Sequence, residues 1–117
     1  MEFPATLRTH DVTPSDHLKS LVDRRVSRLE HQFGDLVHCR IVLQRALARR
    51  GSEAYHVRIE LSVPNEDVVV VREPAPDTRH EPVDTAIREA FDLAERRLSK
   101  YKAHLRRRID AEPGFSG

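Results

Sequence analysis

The residues with the strongest claim to chemistry are cations near the C-terminus: Arg96, Arg97, Lys100, Lys102, Arg106, Arg107 and Arg108. No acid interrupts the run from Arg96 to Arg108. Several cations converging on one track are what phosphate binding needs, because each displaces counterions from the polyanion. Of the 20 cations in the chain, 17 are arginine. The planar guanidinium makes forked contacts to phosphate that an ammonium cannot. Genome composition can produce the same bias.

Other chemistries find little support. Seven histidines are scattered without ligand spacing, and there is no His-Glu-x-x-His run and no Cys-x-x-Cys pair. His80-Glu81 precedes a proline rather than lying within a helix. Cys39 falls on the inward side of an alternating strand, with no neighbouring base, and reads as a packing residue. His10-Asp11 reads as turn chemistry, and Asp84 and Glu89 as helix-surface carboxylates. Four glycines hardly furnish a phosphate loop. The expectation is therefore a non-enzyme with no metal and no cofactor.

The cations must be held by a helix. Val83, Ile87, Phe91, Ala94, Leu98, Tyr101 and Leu105 recur at steps of three and four, so Glu81 to Asp110 reads as one amphipathic helix. Arg96, Lys100 and Arg107 fall opposite its apolar stripe. A helix C-terminus also favours cations through its dipole, and solvation explains many of them. A second helix is expected from Pro14 to about Phe33, capped by Thr13 and stopped by Gly34. Leu18, Val22, Val26, Leu29 and Phe33 form its apolar face. Arg24, Arg28 and His31 lie along one polar edge; Asp16, Asp23 and Glu30 lie along the other. The bland reading is a solvated surface. The sharper one has the basic edge joining the cations of the last helix while the acidic edge faces away.

Strands fill the rest. Glu2 to Arg8 reads as an irregular or edge strand, because Pro4 lacks an N–H. Val37, Cys39, Ile41 and Leu43 alternate inward, as do Tyr55, Val57, Ile59, Leu61 and Val63. Ala46 to Ser52 reads as a long hairpin connection with Arg45, Arg49 and Arg50 near its tip. Pro64 to Asp67 reads as a turn and Val68 to Arg72 as a strand whose four valines leave its facing open. Pro74 to Pro82 is a loop.

The order is β-α-β-β-β-α, an α+β class. The simplest architecture is a two-layer sandwich: a four-stranded sheet with both helices packed on one face. The first two strands should be parallel through a right-handed crossover and the rest an antiparallel meander, with the second sheet face polar and open. Residues 1–111 form one domain and 112–117 a disordered tail. The net charge is only +1, so distribution matters more than total. No apolar run approaches the roughly 20 residues of a membrane span, the N-terminus has no signal-peptide pattern, and a lone cysteine fits a reducing cytosol. A cytoplasmic protein is expected. Few exposed aromatics are available for base stacking, which favours phosphate and shape recognition of folded RNA over single-strand reading.

Several segments resemble the ribosome hibernation-promoting factor family, also called the ribosome-associated inhibitor or sigma-54 modulation family. They are Val12-Thr13-Pro14, the stretch Arg25 to Glu30, His80 to Ile87, and Arg96 to Arg107, in this strand order. The resemblance covers roughly residues 3 to 108 and matches the short form. It implies a protein that silences translation by binding small-subunit ribosomal RNA, in the channel where messenger and transfer RNA would lie. It implies contacts from Arg25 and Arg28 on the first helix, Arg96, Lys100, Lys102, Arg106 and Arg107 on the second, and Arg8 after the first strand. Arg24, Arg45, Arg49 and Arg50 join the candidate set on charge geometry alone. The expected partner is the small ribosomal subunit, with no DNA and no membrane, and a monomer off the ribosome. The chain departs from the family at His31, Ser99 and His104, where many members carry Lys or Arg. These thinned cations and the acidic helix edge point to the alternative, a regulatory protein-interaction module of the same fold that has lost ribosome binding.

Overall fold

A computed structural model describes residues 5–46, 53–64, 66–75 and 80–111, the last four by backbone alone. The order is β1 (Ala5–His10), α1 (Asp16–Gln32), β2 (His38–Ala46), β3 (Ala54–Val63), β4 (Glu66–Arg72) and α2 (Val83–Ala111). The strands form one sheet in the order β1-β2-β3-β4. β1 and β2 are parallel, and β2-β3-β4 is an antiparallel meander. This is the expected two-layer α+β arrangement, with β1 on an edge.

Alternation builds the core. Cys39, Ile41 and Leu43 of β2, and Val57, Ile59 and Leu61 of β3, are fully buried against Leu18, Val26 and Leu29 of α1 and Ile87, Phe91, Ala94 and Leu98 of α2. Each large side chain of this set contributes about 1.5–3 kcal/mol by leaving water. The strand β4 resolves the ambiguity of its valines: Val68 and Val70 are buried, while Val69 and Val71 are 36% and 44% exposed.

Several boundaries differ from the sequence expectation. The cap of α1 is Ser15 rather than Thr13: its Oγ accepts the Leu18 N–H at 3.1 Å. Either hydroxyl suits the pattern. Asp11 turns the chain at φ 58°, a conformation aspartate tolerates, and the segment from there to Pro14 serves as linker. Val37 does not point inward; it precedes β2 and is 58% exposed, with its N–H donating to Ser62 O at 2.9 Å. Arg45 lies in β2 opposite Tyr55, not in the connecting loop. The turn before β4 is shorter than expected, since Glu66 and Asp67 already pair with Val63 and Ser62. α2 starts at Val83 because Glu81 is engaged elsewhere: its N–H donates to Glu53 O at 2.9 Å. Phe3, Arg49, Arg50 and the 112–117 tail lie outside the described residues.

Candidate nucleic-acid interface

The two helices run side by side in the same direction. His17 meets Asp84 at 2.6 Å, Arg25 meets Asp92 at 2.7 Å, and Lys102 Nζ lies 5.9 Å from the Phe33 ring centroid. A near-constant sequence offset between partners means parallel axes. Both C-termini therefore lie at one end of the molecule, where their dipoles add negative potential and favour cations. α2 also outruns the sheet. Glu81, two residues before its start, sits at the start of β3, and Tyr101 Oη donates to Pro64 O at 3.3 Å, just past the strand's other end. The ten residues after Tyr101 extend about 15 Å further at 1.5 Å per residue. They carry Lys102, Arg106 and Arg107.

The seam between the helices sorts the cations. Arg25 is largely buried and held by Asp92 at 2.7 Å and Glu95 at 2.9 Å, with its guanidinium 5.6 Å from the Phe91 ring centroid. Arg28 reaches Glu95 at 3.2 Å but stays about half exposed. Lys102 lies over Phe33 and is an exposed residue. Arg24, Arg96, Lys100, Arg106 and Arg107 are exposed and form no ion pair with another described residue. An open groove runs between the C-terminal end of α1 and α2, lined by Gln32, Phe33, Asp92, Glu95, Arg96, Ser99 and Lys100. Of the acidic edge of α1, Asp23 faces away from α2 and lines a separate groove with Leu7 and Thr9 of β1.

Not every candidate joins this group. Arg45 lies at the opposite end of the sheet, 3.8 Å from Glu53. Arg8 points to the open side of the sheet, since Leu7 and Thr9 take the helix side.

Sequence reading missed one polar cluster. Arg72 and Glu81 are 8% and 7% exposed. Arg72 Nη2 and Nη1 both donate to the Glu81 carboxylate, the latter at 2.8 Å; Nη1 also donates to Tyr55 O at 2.9 Å and Nε to Glu89 at 2.9 Å. Hydrogen bonding to Glu81 raises the Arg72 pKa above its ordinary value. The signal was the phase of β4: with Val68 and Val70 inward, position 72 is inward too. This cluster ties Glu81, at the entry to α2, to the end of β4 and is structural. Cys39 is fully buried and burial pushes its thiol up to about 12, which suits a packing residue. Among the described residues no group of His, Cys, Asp and Glu is placed to hold a metal ion, and no helix is long and apolar enough to cross a membrane.

This arrangement of strands and paired helices has known counterparts. A family model described as sigma 54 modulation protein / S30EA ribosomal protein matches residues 5–106. The chain belongs to that family. Two solved structures show the same fold. A ribosomal subunit interface protein from Coxiella burnetii aligns with a TM-score of 0.69 at 17% identity, over 86% of this chain and 99% of that one. The N-terminal domain of Protein Y from Thermus thermophilus aligns with a TM-score of 0.66 at 20% identity, again over 86% and 99%. No curated protein matches the chain in sequence. As a member of the S30EA family, the chain displays exposed cations on α2 and on the neighbouring edge of α1.

Proposed function

We propose that this S30EA-family chain is a ribosome-associated hibernation factor. It binds small-subunit ribosomal RNA in the messenger and transfer RNA channel, through the basic faces of both helices, and silences translation by occupying the site. No bond is made or broken. The protein acts in the cytoplasm and is a monomer off the ribosome. One observation carries the reading: Arg96, Lys100, Arg106 and Arg107 are exposed and form no ion pair with another described residue along the C-terminal half of α2, with Arg24 equally exposed on α1. Such a ridge fits an RNA backbone. The protein need not read bases, so it needs no stacking aromatics.

The test is co-sedimentation with purified 30S and 70S ribosomes at low and moderate salt, beside an Arg96→Glu/Lys100→Glu/Arg107→Glu variant. The wild type should pellet with ribosomes and release as salt rises, and the variant should stay in the supernatant. Absence of wild-type binding even at low salt rejects the reading.

A second reading rests on the seam. Asp92 and Glu95 neutralise Arg25 and draw on Arg28, so two of the cations implied by family resemblance are partly consumed inside the protein. A fold whose cation face is thinned in this way suits a regulatory module that binds protein instead. Salt separates the two: an apolar protein interface lacks the steep dependence of phosphate binding.

A further inference from the structure

The face of the sheet turned away from the helices carries its own cations. Register places Arg8, Val42, Arg58 and Val71 in one row across the four strands, and Thr6, Arg40, Glu60 and Val69 in the next. Val42 is therefore flanked by Arg8 on one neighbouring strand and Arg58 on the other, with Arg40 two residues along its own strand. At about 4.8 Å between strands and about 7 Å between alternate residues, the three arginines stand within roughly 10 Å of one another. All three are exposed, above a half-buried Val42. Arg58 is partly offset by Glu60 at 3.0 Å. Arg8 and Arg40 form no ion pair with another described residue. The other acids of this face, Asp67 and Glu73, lie at or beyond β4, so the half formed by β1, β2 and the middle of β3 is cationic.

We propose that this open face is a second RNA-binding surface, so that the domain is gripped between two RNA elements rather than laid on one. The inference rests on the proposed RNA reading, and adds to it Arg40 and Arg58, which no motif singled out. Geometry carries it. The helices and their free cations occupy one layer of the sandwich, and the arginine triangle occupies the outside of the other. A single RNA backbone on the helix ridge does not reach the sheet face. Guanidinium groups fork onto phosphate oxygens, and three of them over one valine leave a surface that attracts polyanions. The described open face carries no Phe or Tyr, and protein interfaces are anchored mostly by buried aromatics with arginine. The chemistry therefore favours RNA over a protein partner.

The experiment is chemical footprinting of small-subunit rRNA with the full chain, beside two charge-reversal variants. Arg8→Glu/Arg40→Glu alters the sheet face and Arg96→Glu/Lys100→Glu the helix face. The milder Arg8→Gln/Arg40→Gln guards against misfolding, and thermal melts check that all remain folded. The wild type should protect two separate rRNA segments. The sheet variant should lose one and keep the other, bind about tenfold or more weakly, and show a log-affinity against log-salt slope reduced by about 2. The helix variant should lose the complementary segment. If the sheet variants keep wild-type affinity and every protection while the helix variant loses its segment, this inference fails and the RNA reading stands. A single protected segment lost equally in both variants also overturns it. If the wild type protects nothing at low salt, the RNA reading fails and this inference falls with it.

Discussion

Arg25 and Glu95 face each other across the seam of the two parallel helices, Nη2 to Oε2 at 2.9 Å, with 12% and 14% of their side chains exposed. Arg25 thereby belongs first to the fold, whereas Arg96, one residue beyond Glu95, is fully available to a partner. Adjacent positions on one helix separate a structural charge from a binding charge.

That difference is measurable. Arg25→Ala should lower stability by about 1–3 kcal/mol in urea denaturation, because Asp92 and Glu95 lose a nearly buried partner. Arg96→Ala should leave the urea midpoint almost unchanged and weaken ribosome binding, with a shallower salt dependence. Equal stability losses in the two variants would reject the distinction.

The Arg72–Glu81 pair predicts a strong stability effect far from the proposed interface. Both side chains are more than nine-tenths buried, so Arg72→Met strands a carboxylate and should cost about 3–5 kcal/mol. The Arg72→Met/Glu81→Gln double variant should be more stable than Arg72→Met alone, since the only carboxylate left without Arg72 is the half-exposed Glu89. Thermal and urea denaturation of the four members of this cycle read the coupling directly.

The start of α1 gives a paired comparison. Ser15→Ala removes the acceptor for the Leu18 N–H and should cost about 1 kcal/mol, while Thr13→Ala should cost little. The reverse order in a denaturation series would restore Thr13 as the cap.

Cys39 predicts an alkaline limit. Burial raises its folded-state pKa from 9.0 to about 12, so the fold holds the neutral thiol and unfolding releases it to ionise. Its contribution is intact below about pH 9 and is lost as pH climbs toward 12. The stability advantage of the wild type over Cys39→Ala should shrink across that window. The native thiol should also resist a thiol reagent at pH 8 until denaturant is added.

Periodicity made most of the fold legible. The stripe from Val83 to Leu105 and the alternation in residues 39–43 and 55–63 report which side of each element meets the core, because a helix repeats every 3.6 residues and a strand every 2. Those constraints are local and lie in the sequence. The strand order and the parallel β1–β2 pair followed from connection lengths and handedness. The four valines of β4 carried no alternation, so only packing beneath α2 could choose Val68 and Val70, and with them Arg72, as the inward set.

By itself, the sequence determined a two-layer α+β domain and a helix that ends in cations. Tertiary structure alone decided which cations are free. Charge along a chain is fixed by residue type, but its availability depends on which carboxylates approach from elsewhere, and these come from residues 67 or 70 positions away, as with Arg25, Asp92 and Glu95. The same holds for Arg8. Family resemblance made it a candidate, and the pleat of the sheet turned it to the face opposite the helices.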